Sequence, residues 1–290
     1  MTAGTPSTQN FGFQKVAVDV IKSAGTPVQI GPTTYEVPYA VVVGNTGNVA
    51  APNVQVSENL SRTFGAGSPA ISLVGTPALT VTPSSGATCT ANPGFNGTTV
   101  FGLLAGTDDL APGQSCTISF RVRLVYPSTA AIPSAPQNNQ VYASSLPGSG
   151  PNTGHTFPGG VPTPPPGSLA TDTSSNTTHP ASPSGLPSSP GGDTPGNTPV
   201  TFPNPGSISG TLYLDQNNNG SFDSGTDPRL PNVSVELVDS GGNVVATTQS
   251  DSGGNYTFTG VAPGRLYRAG GCHRSRLWAE LPPAHRPVEP

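Results

Sequence analysis

The sequence predicts an all-β protein in which two immunoglobulin-like or prealbumin-like antiparallel sandwiches are joined by a linker rich in Pro, Gly and Ser. The 37 Gly and 35 Pro among 290 residues leave little room for regular helix. Short runs of alternating hydrophobicity occur towards both ends of the chain, and a stretch without them lies in between. Because only 33% of the residues are hydrophobic, two small cores are expected rather than one large core.

The first module is predicted over residues 11–147, after a disordered start at residues 1–10. Its strands are expected in runs that alternate between apolar and polar residues, at 16–21, 39–43, 54–56, 100–104 and 117–125. Runs of this length, separated by turn residues, are typical of an immunoglobulin-like sandwich. In the last run, Arg121 and Arg123 are expected on the face opposite the apolar side chains.

Residues 148–205 are interpreted as the linker. Pro recurs every few residues there and keeps the chain extended, while Gly and Ser loosen it, so a semi-flexible spacer is expected. The apolar residues at 169–171 and 200–202 leave open that these positions pair as edge strands.

The second module is predicted over residues 206–268. Strand patterns return there at 208–214, 233–238, 244–248, 256–258 and 266–268. The sequence DSGGN occurs twice, at 239–243 and 251–255, and it supplies the positive-φ positions that hairpins need. A second, thinly cored sandwich is therefore expected.

A metal-binding loop is predicted near the start of this second module. The oxygen-bearing side chains alternate along the chain and a Gly stands at the sixth position, which is the spacing of an EF-hand calcium loop. The acid usual at the twelfth position is missing, since Thr226 stands there, but an Asp follows it directly. The candidate ligands are Asp215, Asn217, Asn219, Ser221 through its backbone carbonyl, Asp223 and, provisionally, Asp227.

Two interpretations of this loop stay open. The first is a calcium site with a dissociation constant of roughly 10⁻⁴–10⁻³ M, because at most three carboxylates contribute. The second is an Asx-rich turn that only hydrogen-bonds its own backbone.

Four segments of the second module carry a family resemblance. They are SISGTLYLDQNNNG at 207–220, LPNVSVEL at 230–237, SDSGGNYTF at 250–258 and APG at 262–264. Together they resemble the B-type (SdrD B-like) domain of serine-aspartate repeat surface proteins and, more distantly, collagen-adhesin B-type domains. The resemblance implies a prealbumin-like sandwich that calcium stiffens, used as a rigid spacer in bacterial surface proteins, with the same six ligands.

The first module is similar to the bacterial conserved repeat domain found in envelope and outer-surface proteins. The similarity rests on YAVVVGNTGN at 39–48, NVQVSENL at 53–60, LAPG at 110–113 and TDTSSN at 171–176. In relatives the last segment continues into an acidic, Asp-Pro-rich loop, which TTHP replaces here at 177–180. The resemblance implies a fold and a surface location but no chemistry.

Cysteine usage is consistent with an oxidising compartment. Cys89 and Cys116 lie in one module, so a disulfide between them is predicted if the protein is exported, with two buried free thiols as the alternative. The start of the chain has neither a basic segment nor an apolar stretch typical of a signal peptide. We therefore expect a fragment of an extracellular or envelope protein whose export signal lies upstream.

The C-terminal residues 269–290 depart from the pattern of the second module. They contain the one Trp of the chain and Cys272, where a strand would be expected to continue. Two explanations stay open: a frameshift that replaces the native end, or a disordered tail.

Composition excludes several functional classes. Only 9% of the residues are charged and only two are Lys, so no basic patch for nucleic acid is expected. No apolar run is long enough to span a membrane. The four His lie in the predicted linker and tail, without the spacing of a zinc site or of a base beside a nucleophile, so no enzyme is expected.

These observations predict a non-enzymatic spacer module of a secreted or cell-surface bacterial protein. Its partners would be neighbouring domains of the same larger protein. The alternative is an adhesin module that binds a carbohydrate or protein ligand, whose identity the sequence does not specify. A third class, an accessory domain of a secreted hydrolase, would require a catalytic domain elsewhere in the polypeptide.

Overall fold

A computed structural model describes residues 12–174, 196–203, 205–262 and 267–271. The fold is all-β and antiparallel, as predicted. Within the described residues it contains one short α-helix, α1 (Leu60–Phe64), and two 3-10 helices, Thr129–Ala131 and Pro158–Gly160. Two compact units are present. The N-terminal unit takes the described residues within Met1–Pro27, Glu36–Val125 and Ala135–Thr201, and the C-terminal unit takes those within Val28–Tyr35, Tyr126–Ser134 and Phe202–Pro290.

Ten strands precede residue 201. They are β1 (Val18–Ala24), β2 (Val28–Gly31), β3 (Thr34–Asn45), β4 (Val54–Glu58), β5 (Ala70–Pro83), β6 (Ser115–Val125), β7 (Gln137–Asn139), β8 (Val141–Ser145), β9 (Ala170–Thr173) and β10 (Thr198–Val200). In the N-terminal unit, one sheet has the order β1-β3-β6-β5, a second has β4-β8-β9, and β10 pairs with β7. Strand β1 packs against β8 and β9, which places a core between the first two sheets.

Strand β6 shows why these residues form a sandwich. Its apolar side chains alternate with exposed ones, so that Phe120, Val122 and Leu124 are buried while Arg121 and Arg123 face outward. The predicted placement of the two arginines is therefore confirmed. Both guanidinium groups donate to Glu36 on the neighbouring strand β3, at 3.2 Å from Arg121 and 2.7 Å from Arg123.

The carboxylate of Glu36 is expected to make stability depend on acid pH. Burial alone would raise its pKa, but the hydrogen bonds and charges of Arg123 and Arg121 outweigh burial and hold the pKa below its usual range. The stabilisation is therefore present above the unfolded pKa and is lost as pH falls through the folded pKa. Chemical unfolding of Glu36→Gln should show a loss of about 1 kcal/mol at neutral pH. The same comparison at strongly acid pH should show no difference, and a constant difference at both pH values would contradict the assignment.

Two short strands lie in the segment interpreted as a linker. Strand β9 pairs with β8 at the edge of its sheet, and β10 pairs with β7. Asn152 in the same segment is fully buried, and its amide donates to the backbone carbonyl of Asn53 at 2.8 Å. Residues 148–174 thus take part in the N-terminal unit. Strand β9 contains residues 170–171 of the first edge-strand alternative, whereas β10 shares only Val200 with the second alternative at 200–202. Residues 175–195 of the predicted linker lie outside the described residues.

One predicted strand is wrong. Residues 100–104 form isolated bridges instead of a regular strand. The reason is the buried side chain of Gln55 on β4, which donates to the carbonyl of Leu104 at 2.6 Å and accepts from its N–H at 2.8 Å. A side-chain amide thereby occupies the backbone groups that a ladder would use.

The C-terminal unit contains five further strands. They are β11 (Gly206–Thr211), β12 (Ser234–Asp239), β13 (Val244–Gln249), β14 (Asn255–Val261) and β15 (Tyr267–Gly271). One sheet has the order β13-β12-β15 and the other pairs β11 with β14. A compact cluster forms its core, made of Leu212, Val235, Leu237, Tyr256 and Phe258. Strand β15 extends three residues into the predicted tail, whose remainder at 272–290, like the predicted disordered start at 1–10, lies outside the described residues.

The division into units is not contiguous in sequence because distant aromatic residues pack together. Tyr35, Tyr126 and Phe202 make mutual edge-to-face contacts in the C-terminal unit, with ring centroids 5.1–6.3 Å apart. Aromatic pairs of this geometry stabilise beyond their buried area. Their packing places two short segments, Val28–Tyr35 and Tyr126–Ser134, in the C-terminal unit, although composition alone assigns both to the first module.

Among the residues that the structure describes, no helix has both the length and the apolar character needed to cross a membrane.

Candidate metal centre

The predicted metal loop joins β11 to β12 and is closed at its base by backbone pairing. Tyr213 and Arg229 form an isolated antiparallel bridge, and the N–H of Leu214 donates to the carbonyl of Pro228 at 2.9 Å. The ring of Phe222 packs on this base, 5.3 Å from the ring of Tyr213 and 4.3 Å from the guanidinium carbon of Arg229. Both ends of the loop are therefore held together before any ligand is considered.

Asp215, at the first position, organises the first half of the loop. Its carboxylate accepts from the N–H groups of Asn219 at 3.2 Å and Gly220 at 2.8 Å. Gly220 has a φ of 76°, a left-handed conformation that a Gly adopts without steric cost, which explains why a Gly stands at the sixth position. The chain consequently curls around the Asp215 carboxylate.

Two amides converge on a single carboxylate oxygen in the second half. The Nδ2 groups of Asn217 and Asn219 donate to Oδ2 of Asp223 at 2.7 and 2.6 Å. These two hydrogen bonds lower the pKa of Asp223, which keeps the carboxylate ionised. The predicted residues at the third, fifth and ninth positions are thus brought together.

Asp227 joins the two halves of the loop and is the most buried of its carboxylates, with 6% of its surface exposed. One oxygen accepts from the N–H of Gln216 at 3.0 Å, and the other accepts from the N–H of Asp223 at 2.9 Å. The provisional thirteenth residue therefore contacts the backbone of both halves. Ser221, the other predicted ligand, donates its N–H to Oδ1 of Asn219 at 2.7 Å.

The donor set fits a hard cation in type and spacing, although the loop is closed here by internal hydrogen bonds. Carboxylate and amide oxygens are the ligands that calcium uses. The two amides direct N–H groups at Asp223, so each would have to turn its oxygen inward to contribute. Within the described ranges, no three His, Cys, Asp or Glu side chains are gathered as a metal-holding group.

The two predicted cysteines are joined in the structure. Cys89 and Cys116 form a disulfide with their Cα atoms 6.0 Å apart. Cys116 is buried in β6, opposite Pro83 of β5. Cys272 lies outside the described residues.

Three buried polar residues of the N-terminal unit were not found by sequence reasoning: Lys22, Glu58 and Asn139. They come from three strands far apart in sequence. The one signal in the sequence was that Lys22 directly follows an alternating apolar run. A lysine at that position is equally typical of the exposed end of a strand. His155, placed in the predicted linker, is also buried, and burial lowers its pKa to about 4.

Fold and loop together define an all-β module with an acidic-amide loop at the start of its C-terminal sandwich. Residues 206–270 match the model of the SdrD B-like domain. Colossin-A and Colossin-B of Dictyostelium discoideum are 43% identical over 58 residues and 38% identical over 68 residues. These matches cover 20% and 21% of this chain. Rounded to whole percentages, they cover 0% of Colossin-A and 2% of Colossin-B, so the chain spans only a very small part of the length of either protein.

BcpA, the major pilin subunit of Bacillus cereus, is similar at 13% identity and a TM-score of 0.37. The similarity covers 88% of this chain and 58% of the pilin chain.

Proposed function

We propose that this chain is a non-enzymatic structural module of a secreted or cell-surface protein, of the bacterial class that its C-terminal unit resembles. The SdrD B-like match suggests a spacer role at the cell surface. Neighbouring domains of the same polypeptide would be its partners. The low content of charged residues, 9% of the chain, supports this role over binding to nucleic acid.

The finer proposal is that calcium stiffens the C-terminal unit. The observation that carries it is the convergence of Asn217 and Asn219 on Asp223, in a loop already closed at its base. Oxygens of Asp215, Asn217, Asn219 and Asp223 would hold the ion, with the Ser221 carbonyl and, provisionally, Asp227. A bound calcium ion supplies several strong oxygen contacts at once, and these would tie the two halves of the loop together.

Binding in the loop would stiffen the C-terminal unit because the loop is directly connected to the small core of that unit. Leu212, a core residue, is bonded through its N–H to Gly254 at 2.8 Å and through its carbonyl to Leu230 at 3.0 Å. The loop begins three residues after Leu212. Restricting the loop therefore restricts β11 and the chain entering β12, which a thin core holds only moderately.

Calcium is expected to bind the full chain with one site and a dissociation constant of roughly 10⁻⁴–10⁻³ M, measured by titration calorimetry. At a calcium concentration tenfold above that constant, the C-terminal unit should gain about 1.4 kcal/mol in its free energy of unfolding. Asp215→Ala should abolish both the heat and the thermal shift.

Asp251→Ala is the matched control. Asp251 also caps a Gly-containing turn, accepting from the N–H groups of Gly253 and Asn255 at 2.8 Å each, but it lies outside the loop. This variant should keep the calcium-induced shift in full. Absence of binding by the folded wild type at millimolar calcium would leave the Asx-turn interpretation as the correct one.

A further inference from the structure

A lysine and a glutamate are completely buried against each other in the N-terminal unit. Lys22 on β1 and Glu58 on β4 have side chains with 0% exposure, and Nζ of Lys22 donates to Oε2 of Glu58. Nζ also lies 4.3 Å from the ring centroid of Tyr39 and 5.9 Å from that of Phe120. The amine is thus enclosed by aromatic rings and one carboxyl group, out of reach of water.

Asn139 on β7 completes the cluster and is itself fully buried. Its amide lies beside Glu58, close enough to oppose the rise in the pKa of that group. Nevertheless, Nδ2 has no hydrogen-bond partner of ordinary geometry among the described residues. The amide oxygen accepts from the hydroxyl of Thr63 at 3.0 Å. A buried N–H₂ group without a well-formed hydrogen bond is costly, so its presence requires an explanation.

The topology holds the amine and the amide at the same place. Thr198 of β10 stands directly opposite Asn139 in the β10–β7 pairing. The hydroxyl of Thr198 donates to the backbone carbonyl of Lys22 at 3.1 Å. One residue therefore links the backbone of β1 to the position that carries the amide, while Glu58 touches both side chains.

The environment of Lys22 and Glu58 shifts their pKa values in the direction that makes the lysine amine nucleophilic. Desolvation is the largest influence on both groups, and it lowers the pKa of Lys22 and raises the pKa of Glu58. Their mutual attraction opposes both shifts without reversing them. Both shifts favour the neutral amine and the protonated carboxyl group over the ion pair, and this is the direction that activates buried lysines as nucleophiles.

We propose that Lys22 and Asn139 become joined by an intramolecular isopeptide bond, with Glu58 as the general acid and base. The Nζ lone pair attacks Cγ of Asn139, and a C–N bond forms. Glu58 takes a proton from Nζ and delivers one to Nδ2, so that the Cγ–Nδ2 bond breaks and ammonia leaves. Glu58 ends in the protonation state in which it began, and no oxidant or co-reactant is needed.

The surroundings favour each part of this step. The Thr63 hydroxyl donates to the amide oxygen, on which negative charge develops during attack. Holding the amine and the amide against the same carboxyl group replaces a bimolecular encounter, an effect reaching about 10⁵–10⁸ M in effective concentration. Exclusion of water prevents hydrolysis of the amide as the competing reaction.

The product would tie β1 covalently to β7. Pulling on the chain could then not extend the residues between Lys22 and Asn139, whatever happens to their hydrogen bonds. This inference concerns the N-terminal unit and does not depend on calcium binding by the C-terminal unit.

Intact-mass measurement of the reduced, denatured full chain tests the proposal. The wild type should be lighter than its sequence mass by one molecule of ammonia. Digestion with trypsin should yield a branched peptide that joins the segment containing Lys22 to the segment containing Asn139. A succinimide at Asn96–Gly97 or Asn219–Gly220 would lose the same mass but would give no branched peptide.

Variants assign the roles. Lys22→Arg, Asn139→Ala and Glu58→Gln should each retain the full mass expected for their sequence. Lys15→Arg is the matched control, because Lys15 is the other lysine of the chain and is exposed, and it should keep the branched peptide. A wild-type protein with its unmodified mass, or with ammonia loss but no branched peptide, would overturn the proposal whether or not the variants fold.

Discussion

Replacing Phe258 with Ala is expected to remove about 3–5 kcal/mol from the free energy of unfolding of the C-terminal unit. Phe258 is buried in β14 and packs edge-to-face against Tyr256 at 6.0 Å between ring centroids. Its ring belongs to a core cluster of only five buried residues, so few neighbours can close the resulting cavity. Since small domains have about 5–15 kcal/mol of stability in total, most of the stability of the unit should be lost.

Hydrogen exchange followed by mass spectrometry measures this effect in one unit without interference from the other. Amides of β12 and β14 should exchange much faster in Phe258→Ala, whereas those of β6 should be unaffected. The matched control is Val244→Ala on β13, a residue that is 52% exposed. That variant should cost less than about 1 kcal/mol. Equal effects from the two substitutions would show that the cluster is not the core of the unit.

The regular strands were predictable where one face of a sheet is buried, because alternation records that burial directly. Strand β6 is such a case, and so is β12, where Val235 and Leu237 are buried. Strand β5 was not predicted, since Gly75 and Pro77 interrupt its sequence. A register shift between Val74 and Leu79 accommodates both residues, so the pairing with β6 continues on either side.

Sequence spacing located the loop residues but not the bonds between them. An Asn offers both a donor and an acceptor, so its position in a motif does not say which of the two faces Asp223. The cluster of Lys22, Glu58 and Asn139 shows a different limit. Its members converge only through the pairing of β7 with β10 and the packing of β1, which are long-range contacts that no local pattern encodes.

Breaking the disulfide between Cys89 and Cys116 is expected to have the second large effect, about 3.5 kcal/mol for a closed loop of 27 residues. The loop runs through residues 90–115, which contain turns and isolated bridges and only one residue, Ser115, in a regular ladder. Removing the cross-link increases the entropy of the unfolded chain, which then has to close a loop of this length on folding.

Urea unfolding of a Cys272→Ser variant, with and without reductant, isolates the contribution of the disulfide to stability, because Cys89 and Cys116 are the remaining cysteines of the chain. The midpoint for the N-terminal unit should fall on reduction, and the C-terminal unit should serve as an internal control that does not respond. Thiol titration of the denatured, unreduced wild type should find one reactive thiol per chain, since two of its three cysteines are bridged. Three reactive thiols, or a midpoint insensitive to reductant, would instead mean that the two cysteines are packed as free thiols and that other contacts hold residues 90–115 in place.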